Sequence, residues 1–521
     1  MNHILPKKLS FEDIKGVIFG KDRISLGEDC KKKLNETSDF IHEMVKQNVK
    51  IYGVTTGFAS FKDTVVDSSH SKLLSLNIIR SHDAGIGQPL HSNITLCGML
   101  LRANSLAQNH SGFTVNSLET LIGMINNRII PSIPESGSLG ASGDLAYLAR
   151  LGRSMIGDDV PVICNGVYMS AQNALKLHNI SPMIPQAKEG LALTNGTSFS
   201  TAMAILNLFE EIKRCNQLLS SMCLFMNCIG ACDSAFCDCA QKVRGHIGQT
   251  AIAKYILDHL KIKDSKGVQN NYCIRCVPQI FGYIYEAIDN EKSKLIIEMN
   301  AVTDNPLIFS GNDVGNDVPE EKIHKFHGKK WAVLSCGNFH AEYISQLADN
   351  IKRANVKIIL TMERQINYIM NPHRHQLNIK SEIFAEDLVP DGSKCGLESG
   401  FMIVQYTAAC LAQKISVVSS PSSIFNITSG NESEDVVSFA PTSCLKWTEQ
   451  LNYMKDFNIV YLTTMMQCYG LLKQRNGILL DEYEEVYNIV SKLLPTSHDV
   501  GFDTIYKKVK CILNKLKIGC F

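Results

Sequence analysis

The sequence predicts a predominantly α-helical protein, in which a loop-rich N-terminal part precedes a long central helical bundle. In the second part of the chain, apolar residues recur at steps of three and four, as at Leu347 and Ile351, which is typical of helices with one buried face. Strand-like alternation is scarce. A chain of 521 residues is long enough for more than one packed unit, and the change of pattern predicts two domains, 1–195 and 196–521.

The N-terminal part is predicted to contain short helices separated by loops. Residues 10–48 are expected to form capped helices, because Ser10 stands three residues before Asp13, the spacing of a capping box. The elements predicted next are a loop over 52–60, helical residues 70–108 with a break from Gly85 to Pro89, a helix over 114–128, and a short strand pair within 160–187.

The second part is predicted to consist of long helices with few interruptions. Their length and their three- and four-residue spacing favour a bundle over separate surface helices. The predicted ranges are 199–228, 250–261, 278–300, 338–370, 399–418 and 442–474.

Composition excludes several classes of partner. The 52 Lys and Arg residues nearly balance the 51 Asp and Glu residues, so nothing indicates a nucleic acid or a membrane surface as partner. No run approaches the roughly 20 apolar residues that a membrane span needs. No secretory signal is evident, and the 18 cysteines are most simply reduced thiols, which predicts a cytoplasmic protein.

Two clusters raise the alternative of a metal site. Cys228 and Cys232 stand one helical turn apart, but their apolar neighbours favour small core residues. His373-Arg374-His375 has no cluster of carboxylates or paired cysteines nearby, which favours a solvated loop. We therefore predict no metal ligands.

The segment from Gly137 to Ala146 is the centre of the sequence. It reads Gly-Ser-Leu-Gly-Ala-Ser-Gly-Asp-Leu-Ala, which predicts a tight loop that feeds a helix, with Ser142 or Asp144 as the cap. An ordinary Gly/Ser turn is the alternative. In a bent loop, however, the nitrogen of Gly143 can approach the carbonyl carbon of Ala141, because glycine has no Cβ to block it. Ring closure and loss of two waters would give a 4-methylidene-imidazole-5-one (MIO), an electrophile that ordinary side chains do not provide.

Seven further segments of the chain are relevant to this loop. They run from Tyr52 to Phe58, Ser81 to Gly87, Glu189 to Thr197, Gln269 to Cys276, Asn300 to Pro306, Gly337 to Glu342 and Gly400 to Tyr406. Together with the central loop they resemble the histidine and aromatic amino-acid ammonia-lyases, in the same order along the chain. The resemblance implies the ammonia-lyase fold, an MIO group formed from Ala141-Ser142-Gly143, a small amino-acid-like substrate, and a homotetramer whose active sites combine loops of several subunits.

The resemblance also implies catalytic roles. Removing ammonia from an amino acid requires a base for the β-proton and a better leaving group at the amine. The implied catalytic residues are Tyr52 as the base, Ala141, Ser142 and Gly143 as the source of the ring, Asn195 as a hydrogen-bond donor to the ring oxygen, and Tyr272 beside the ring.

Substrate-binding residues follow from the same segments. Arg275 is implied to bind the substrate carboxylate, since its planar fork suits two oxygens. His82 and Glu434 stand where histidine-specific members of the family carry the groups that accept an imidazole ring. The implied substrate-binding set is His82, Gln269, Arg275, Asn305, Phe339 and Glu434.

The preferred reaction is the conversion of L-histidine to trans-urocanate and ammonia. Several positions depart from the pattern of histidine enzymes, among them Asp83, Glu432, Ser433 and Val436. The substrate therefore stays open between histidine, a modified histidine betaine that would release trimethylamine, and tyrosine or phenylalanine. An aminomutase and a catalytically inactive helical scaffold are further alternatives.

Overall fold

A computed structural model describes residues 1–370, 397–477, 479–495, 498–516 and 520–521. The described chain is predominantly α-helical, which confirms the predicted fold class. The helices in chain order are α1 Phe11–Ile18, α2 Glu28–Lys46, α3 Ser71–Ser81, α4 Ser92–Leu106, α5 Val115–Asn126, α6 Leu145–Met155, α7 Ala171–Leu177, α8 Glu189–Thr194, α9 Ser198–Ile229, α10 Asp238–Lys242, α11 Ile247–His259, α12 Tyr272–Arg275, α13 Val277–Glu298, α14 Glu342–Met370, α15 Met402–Val418, α16 Ala440–Asn476, α17 Asp481–Val490 and α18 Phe502–Ile512.

The long helices of the second part begin and end within a few residues of their predicted limits, as α9 and α16 illustrate. The predicted N-terminal cap of α1 is also confirmed. The Ser10 hydroxyl accepts a hydrogen bond from the Asp13 backbone N–H at 3.2 Å, and the Asp13 carboxylate accepts one from the Ser10 N–H at 2.9 Å. This reciprocal pair is a capping box.

Short strands accompany the helices. They are β1 Asn2–Leu5, β2 Arg23–Leu26, β3 Ile86–Pro89, β4 Ile129–Pro131, β5 Pro134–Ser136, β6 Pro161–Cys164, β7 Val167–Ser170, β8 Leu307–Ser310, β9 Ile323–Phe326 and β10 Lys329–Leu334. β1 and β2 pair in parallel, β3 pairs antiparallel with β5, and two three-stranded sheets have the orders β4-β6-β7 and β8-β10-β9. The predicted strand pair is β6 and β7, whereas the other strands were not predicted, because three to six residues are too few to reveal alternation.

Two compact units divide the chain. The first comprises Met1–Leu206, Lys292–Ala348 and Ser422–Leu445, and the second comprises Asn207–Glu291, Asp349–Pro421 and Lys446–Phe521. Each unit thus combines stretches that are distant in sequence. The predicted boundary after residue 195 stays a prediction.

In the first unit, three helices set the positions of residues that matter below. The short helix α8 packs against both α3 and α6. Helix α3 ends just before His82, α6 begins just after Asp144, and α8 ends just before Asn195. Because α8 is buried along its whole length, packing fixes these three helix termini relative to one another.

The second unit is built on long buried helices. Within α9, the carboxylate of Glu211 is fully buried and accepts hydrogen bonds from Trp447 Nε1 at 2.8 Å and from Asn355 Nδ2 at 2.9 Å. These bonds compensate for burial of the carboxylate, which raises its pKa. Cys228 is fully buried in the same helix, as expected of a small core residue.

Two features bear on the alternatives considered for the sequence. Over the described ranges, no helix is both long and apolar enough to cross a bilayer. No group of three or more His, Cys, Asp or Glu side chains in this part of the chain is arranged to hold a metal ion. His373-Arg374-His375 lies outside the described residues.

Candidate active site

The loop before α6 is sharply bent. Gly140, Ser142 and Gly143 all have positive φ angles, of 76°, 53° and 83°. Gly140 forms an antiparallel bridge with Gly143, and Gly143 forms a parallel bridge with Gly196. Only glycine adopts such angles without strain, so Ser142 is held in a conformation that a serine rarely takes.

Two side chains hold Ser142 from opposite ends. Its hydroxyl donates a hydrogen bond to Glu434 Oε1 at 2.7 Å, and its carbonyl oxygen accepts one from Asn195 Nδ2 at 2.7 Å. Asn195 is buried, and its Oδ1 has no hydrogen-bond partner among the described residues. The amide is therefore oriented by its bond to the Ser142 carbonyl, the oxygen that a ring formed here would carry.

These residues fit the MIO group that the sequence predicts. The bridge between Gly140 and Gly143 bends the chain back around the tripeptide, and Gly143 has no side chain to obstruct ring closure. A Cβ on Gly143 would lie 2.2 Å from the carbonyl oxygen of Gly196, closer than any real contact. Asn195 would donate to the ring oxygen and draw electrons from the ring.

In the Gly143→Ala variant, Ser142 is expected to stay an unmodified serine and the chain to keep its full mass, without the loss of two waters. The reason is that the added Cβ would push the loop away from Gly196. Left-handed strain adds about 1–2 kcal/mol of destabilisation. Gly166→Ala is the matched control, since Gly166 has a φ of 85° but nothing within 4 Å of a Cβ. Intact mass and thermal melting of both variants check this. If Gly143→Ala still lost two waters, the fit argued here would be wrong.

Two buried charged side chains, Asp144 and Arg102, support the loop and the residue that binds it. The Asp144 carboxylate accepts hydrogen bonds from the N–H groups of Phe199 at 2.7 Å and Ser200 at 2.9 Å. It therefore caps α9 rather than α6, the helix for which the sequence predicted Ser142 or Asp144 as the cap. Burial raises the pKa of Asp144 to about 6. Arg102, fully buried in α4, donates from Nη2 to the Asn195 carbonyl oxygen at 2.7 Å and so fixes the residue that holds Ser142.

A cavity of about 430 Å³ lies over this loop. Eight predicted site residues line it: Tyr52, His82, Ala141, Ser142, Asn195, Asn305, Phe339 and Glu434. The lining also includes Phe58, Lys62, Cys336 and His340, which the sequence analysis did not select. His340 lies in the segment from Gly337 to Glu342, so that segment could have identified it as a site residue. No sequence motif pointed to Lys62 or Cys336.

Tyr52 and His82 face a common carboxylate. The Ala59 N–H donates to the Tyr52 hydroxyl at 3.1 Å. Burial raises the pKa of Tyr52, and the charge of Glu434 raises it further, while the Ala59 N–H lowers it. Burial lowers the pKa of His82, although a hydrogen bond to the Ile78 backbone and the charge of Glu434 act in the other direction. The ring of His82 is therefore favoured in its neutral form.

Asn305 and Phe339 lie on the cavity wall near the sheet of β8 to β10. Asn305 Oδ1 accepts hydrogen bonds from the Cys336 N–H at 2.7 Å and from Ser335 Oγ at 3.2 Å. These bonds use the oxygen of the Asn305 amide. Its nitrogen makes no hydrogen bond to the described residues and is available to the carboxylate of a ligand.

Gln269, Tyr272 and Arg275 belong to the second unit and are not among the residues that line this cavity. Tyr272 is 71% exposed at the start of α12, and the Arg275 guanidinium carbon lies 4.7 Å above the centre of its ring. The predicted roles of these three residues stay predictions.

Comparison with known proteins decides the family. A family profile described as aromatic amino acid lyase matches residues 9–492.

The chain belongs to the aromatic amino acid lyase family.

The histidine ammonia-lyase of Alkaliphilus oremlandii is 34% identical to this lyase over 498 residues, which cover 94% of this chain and 92% of the relative. The crystal structure of histidine ammonia-lyase from Trypanosoma cruzi matches this lyase with a TM-score of 0.82 at 27% identity, over 99% of this chain and 93% of that chain. Ergothionase from Treponema denticola matches with a TM-score of 0.86 over 99% of both chains, but at 21% identity this likeness shows the fold alone. The predicted family and class of enzyme are confirmed.

Proposed function

We propose that this lyase eliminates ammonia from L-histidine to give trans-urocanate. The observation that carries the proposal is the placement of Ser142, whose hydroxyl and carbonyl are held by Glu434 and Asn195 in a cavity that Tyr52 and His82 also line. The named activity of the Alkaliphilus oremlandii and Trypanosoma cruzi relatives supports the same substrate.

Ala141, Ser142 and Gly143 would form the MIO group, and Asn195 would hold its oxygen. When formed, the group supplies an electron-poor alkene that makes the substrate amine a better leaving group. Asn195 is already oriented for this task, because its amide nitrogen lies 2.7 Å from the Ser142 carbonyl oxygen. Preorganised donors of this kind need no rearrangement during the reaction.

Glu434 and His82 would recognise the imidazole ring of the substrate. Loss of the Ser142 hydroxyl would free Glu434 Oε1 to accept a hydrogen bond from an imidazole N–H. His82 Nδ1 lies 3.0 Å from Ser81 Oγ, so the ring nitrogen left for the same substrate is Nε2. Both side chains line the cavity, so an imidazole between them would be enclosed by polar partners.

Tyr52 would remove the β-proton, and Arg275 would bind the carboxylate. We infer that this arginine comes from another copy of the chain, as the family resemblance implies for active sites built from several subunits; Tyr272, on whose ring Arg275 lies, is exposed. The homotetramer that the family resemblance implies would supply it, in the cytoplasm that the cysteine content predicts. A guanidinium close to Tyr52 would also offset the effects of burial and of Glu434 on the pKa of that phenol.

A second candidate substrate is a modified histidine betaine that would lose trimethylamine. Val436 lines the cavity with 65% of its surface exposed, at a position where histidine enzymes usually carry a histidine. An apolar wall suits methyl groups on the substrate amine better than it suits an ammonium group. Tyrosine or phenylalanine as substrate, and an aminomutase outcome, are separated from both candidates by product analysis.

Purified protein incubated with L-histidine tests the proposal. We expect growth of the urocanate absorbance band together with release of ammonia in equal amount. Turnover of the betaine with release of trimethylamine, and none of L-histidine, would replace the first candidate by the second. A β-amino acid product would indicate an aminomutase. A folded tetramer that turns over none of these substrates would indicate the catalytically inactive scaffold.

The Glu434→Gln variant is expected to lose about 10–100-fold in kcat/KM for L-histidine, because a charged acceptor for the imidazole N–H becomes neutral. Its kcat/KM for L-phenylalanine is expected to rise relative to that for L-histidine, since an unpaired carboxylate no longer faces the apolar ring. Glu432→Gln is the matched control, because Glu432 is a neighbouring carboxylate that does not line the cavity. An unchanged ratio between the two substrates in Glu434→Gln would contradict this role.

A further inference from the structure

A group of charged side chains surrounds the turn that carries His82. The group comprises Arg80, Asp83, Arg150, Arg153 and Asp158. Arg80 stands two residues before His82 and Asp83 directly after it. Arg150 and Arg153 lie in α6, the helix that begins directly after the Ser142 loop. The group therefore links the turn after α3 to the helix that follows the reactive loop.

Asp83 is the centre of this group. Its side chain is fully buried, and Arg150 Nε lies 2.9 Å and 2.8 Å from its two carboxylate oxygens. Arg153 Nη1 donates to the same carboxylate at 2.9 Å. Two guanidinium groups on one buried carboxylate make a strong and geometrically specific link.

A second charged link joins α3 to Asp158, a residue that follows α6. Asp158 accepts hydrogen bonds from Arg80 Nη2 at 2.9 Å, from Arg80 Nε at 3.1 Å and from Arg153 Nε at 3.1 Å, but the Arg80 side chain is 53% exposed. Exposed pairs contribute little to stability, because water and salt screen them. Of the two charged links between this region and α6, the one at Asp83 is therefore the more buried.

We propose that Asp83 is a positioning residue that holds the His82 ring on the cavity wall at a fixed place relative to Ser142. It acts through His82, which directly precedes it and lines the cavity, whereas Asp83 itself does not line the cavity. The effect of Asp83 on the affinity for an imidazole-bearing substrate rests on the proposed function. The effect of Asp83 on the position of His82 is independent of that function.

The placement is tested without any substrate. Diethyl pyrocarbonate modifies accessible histidine rings, and peptide mass mapping gives the rate at each histidine. In Asp83→Asn we expect the rate at His82 to rise about fivefold or more, because a freed turn exposes the half-buried ring. Asp158→Asn is the matched control; it removes the same charge from the weaker link and is expected to leave the His82 rate within about twofold of the parent. An unchanged His82 rate in Asp83→Asn, with the fold intact by circular dichroism, would overturn the proposal.

The consequence for substrate is tested by a double-mutant cycle on L-histidine turnover. Asp83→Asn is expected to raise KM about tenfold with little change in kcat, because a small displacement of a binding group weakens binding. In a His82→Leu background the same change is expected to have no further effect on KM. Additive effects would show that Asp83 does not act through His82. If the parent enzyme fails to turn over L-histidine, the proposed function fails, and the modification rates still decide the placement of His82.

Discussion

The Ser142→Ala variant is expected to lose about 10³-fold or more in kcat, comparable with the removal of a catalytic nucleophile. Without a hydroxyl on Cβ, residue 142 cannot lose the second water, so no alkene forms. The fold is expected to survive, because the Ser142 hydroxyl has one partner, Glu434, in the part of the chain that the structure describes. Steady-state turnover of L-histidine measures the effect.

Ser138→Ala is a suitable control for this variant. Ser138 lies in the same loop, and its hydroxyl accepts a hydrogen bond from the Ala146 N–H at 3.2 Å, but it does not line the cavity. We expect near-parental turnover and the parental mass. If Ser142→Ala retained more than about a tenth of the parental kcat, the reaction would not need the electrophile.

The Tyr52→Phe variant is expected to lose about 10²–10⁴-fold in kcat, the range for removal of a general base. Its mass should still show the loss of two waters, because the Tyr52 hydroxyl contacts the Ala59 N–H and not the Ser142 loop. Tyr168→Phe, an exposed tyrosine on β7, is the control with parental activity. A Tyr52→Phe variant with parental kcat and complete loss of two waters would assign the base to another residue.

The same residue predicts the direction of pH dependence. Burial and the charge of Glu434 raise the pKa of Tyr52, so the fraction of phenolate is small at neutral pH and grows as pH rises. The kcat/KM for L-histidine is therefore expected to increase with pH on the alkaline side of neutrality. A profile that falls as pH rises from 7 to 9 would contradict a phenolate base.

Motifs made most of the cavity predictable, because chemistry demands particular residues at short spacing. Ala141, Ser142 and Gly143 had to be adjacent to form a ring, and the strand-poor pattern of long helices already predicted the fold class. Glu434 was selected because it stands where histidine-specific members of the family carry a group that accepts an imidazole ring. Its bond to Ser142, however, spans 292 residues, and no local pattern reveals a pairing at that separation.

Buried support was not predictable in the same way. Arg102 reads as one charge inside an apolar helix, and only the fold shows that it holds the Asn195 carbonyl. Asp144 stands at the start of α6, so local rules assigned it to that helix, whereas tertiary packing gives its carboxylate to α9. Asp83 was visible only as a departure from the family pattern until its two arginine partners were placed.

The mass of the purified, intact chain tests the central claim most directly. The account predicts a mass lower by two water molecules than the sequence requires, in the parent and in Tyr52→Phe but not in Ser142→Ala. Peptide mapping should place that loss in the peptide that contains Ala141, Ser142 and Gly143. A parental chain with the full mass of an unmodified peptide would contradict the account.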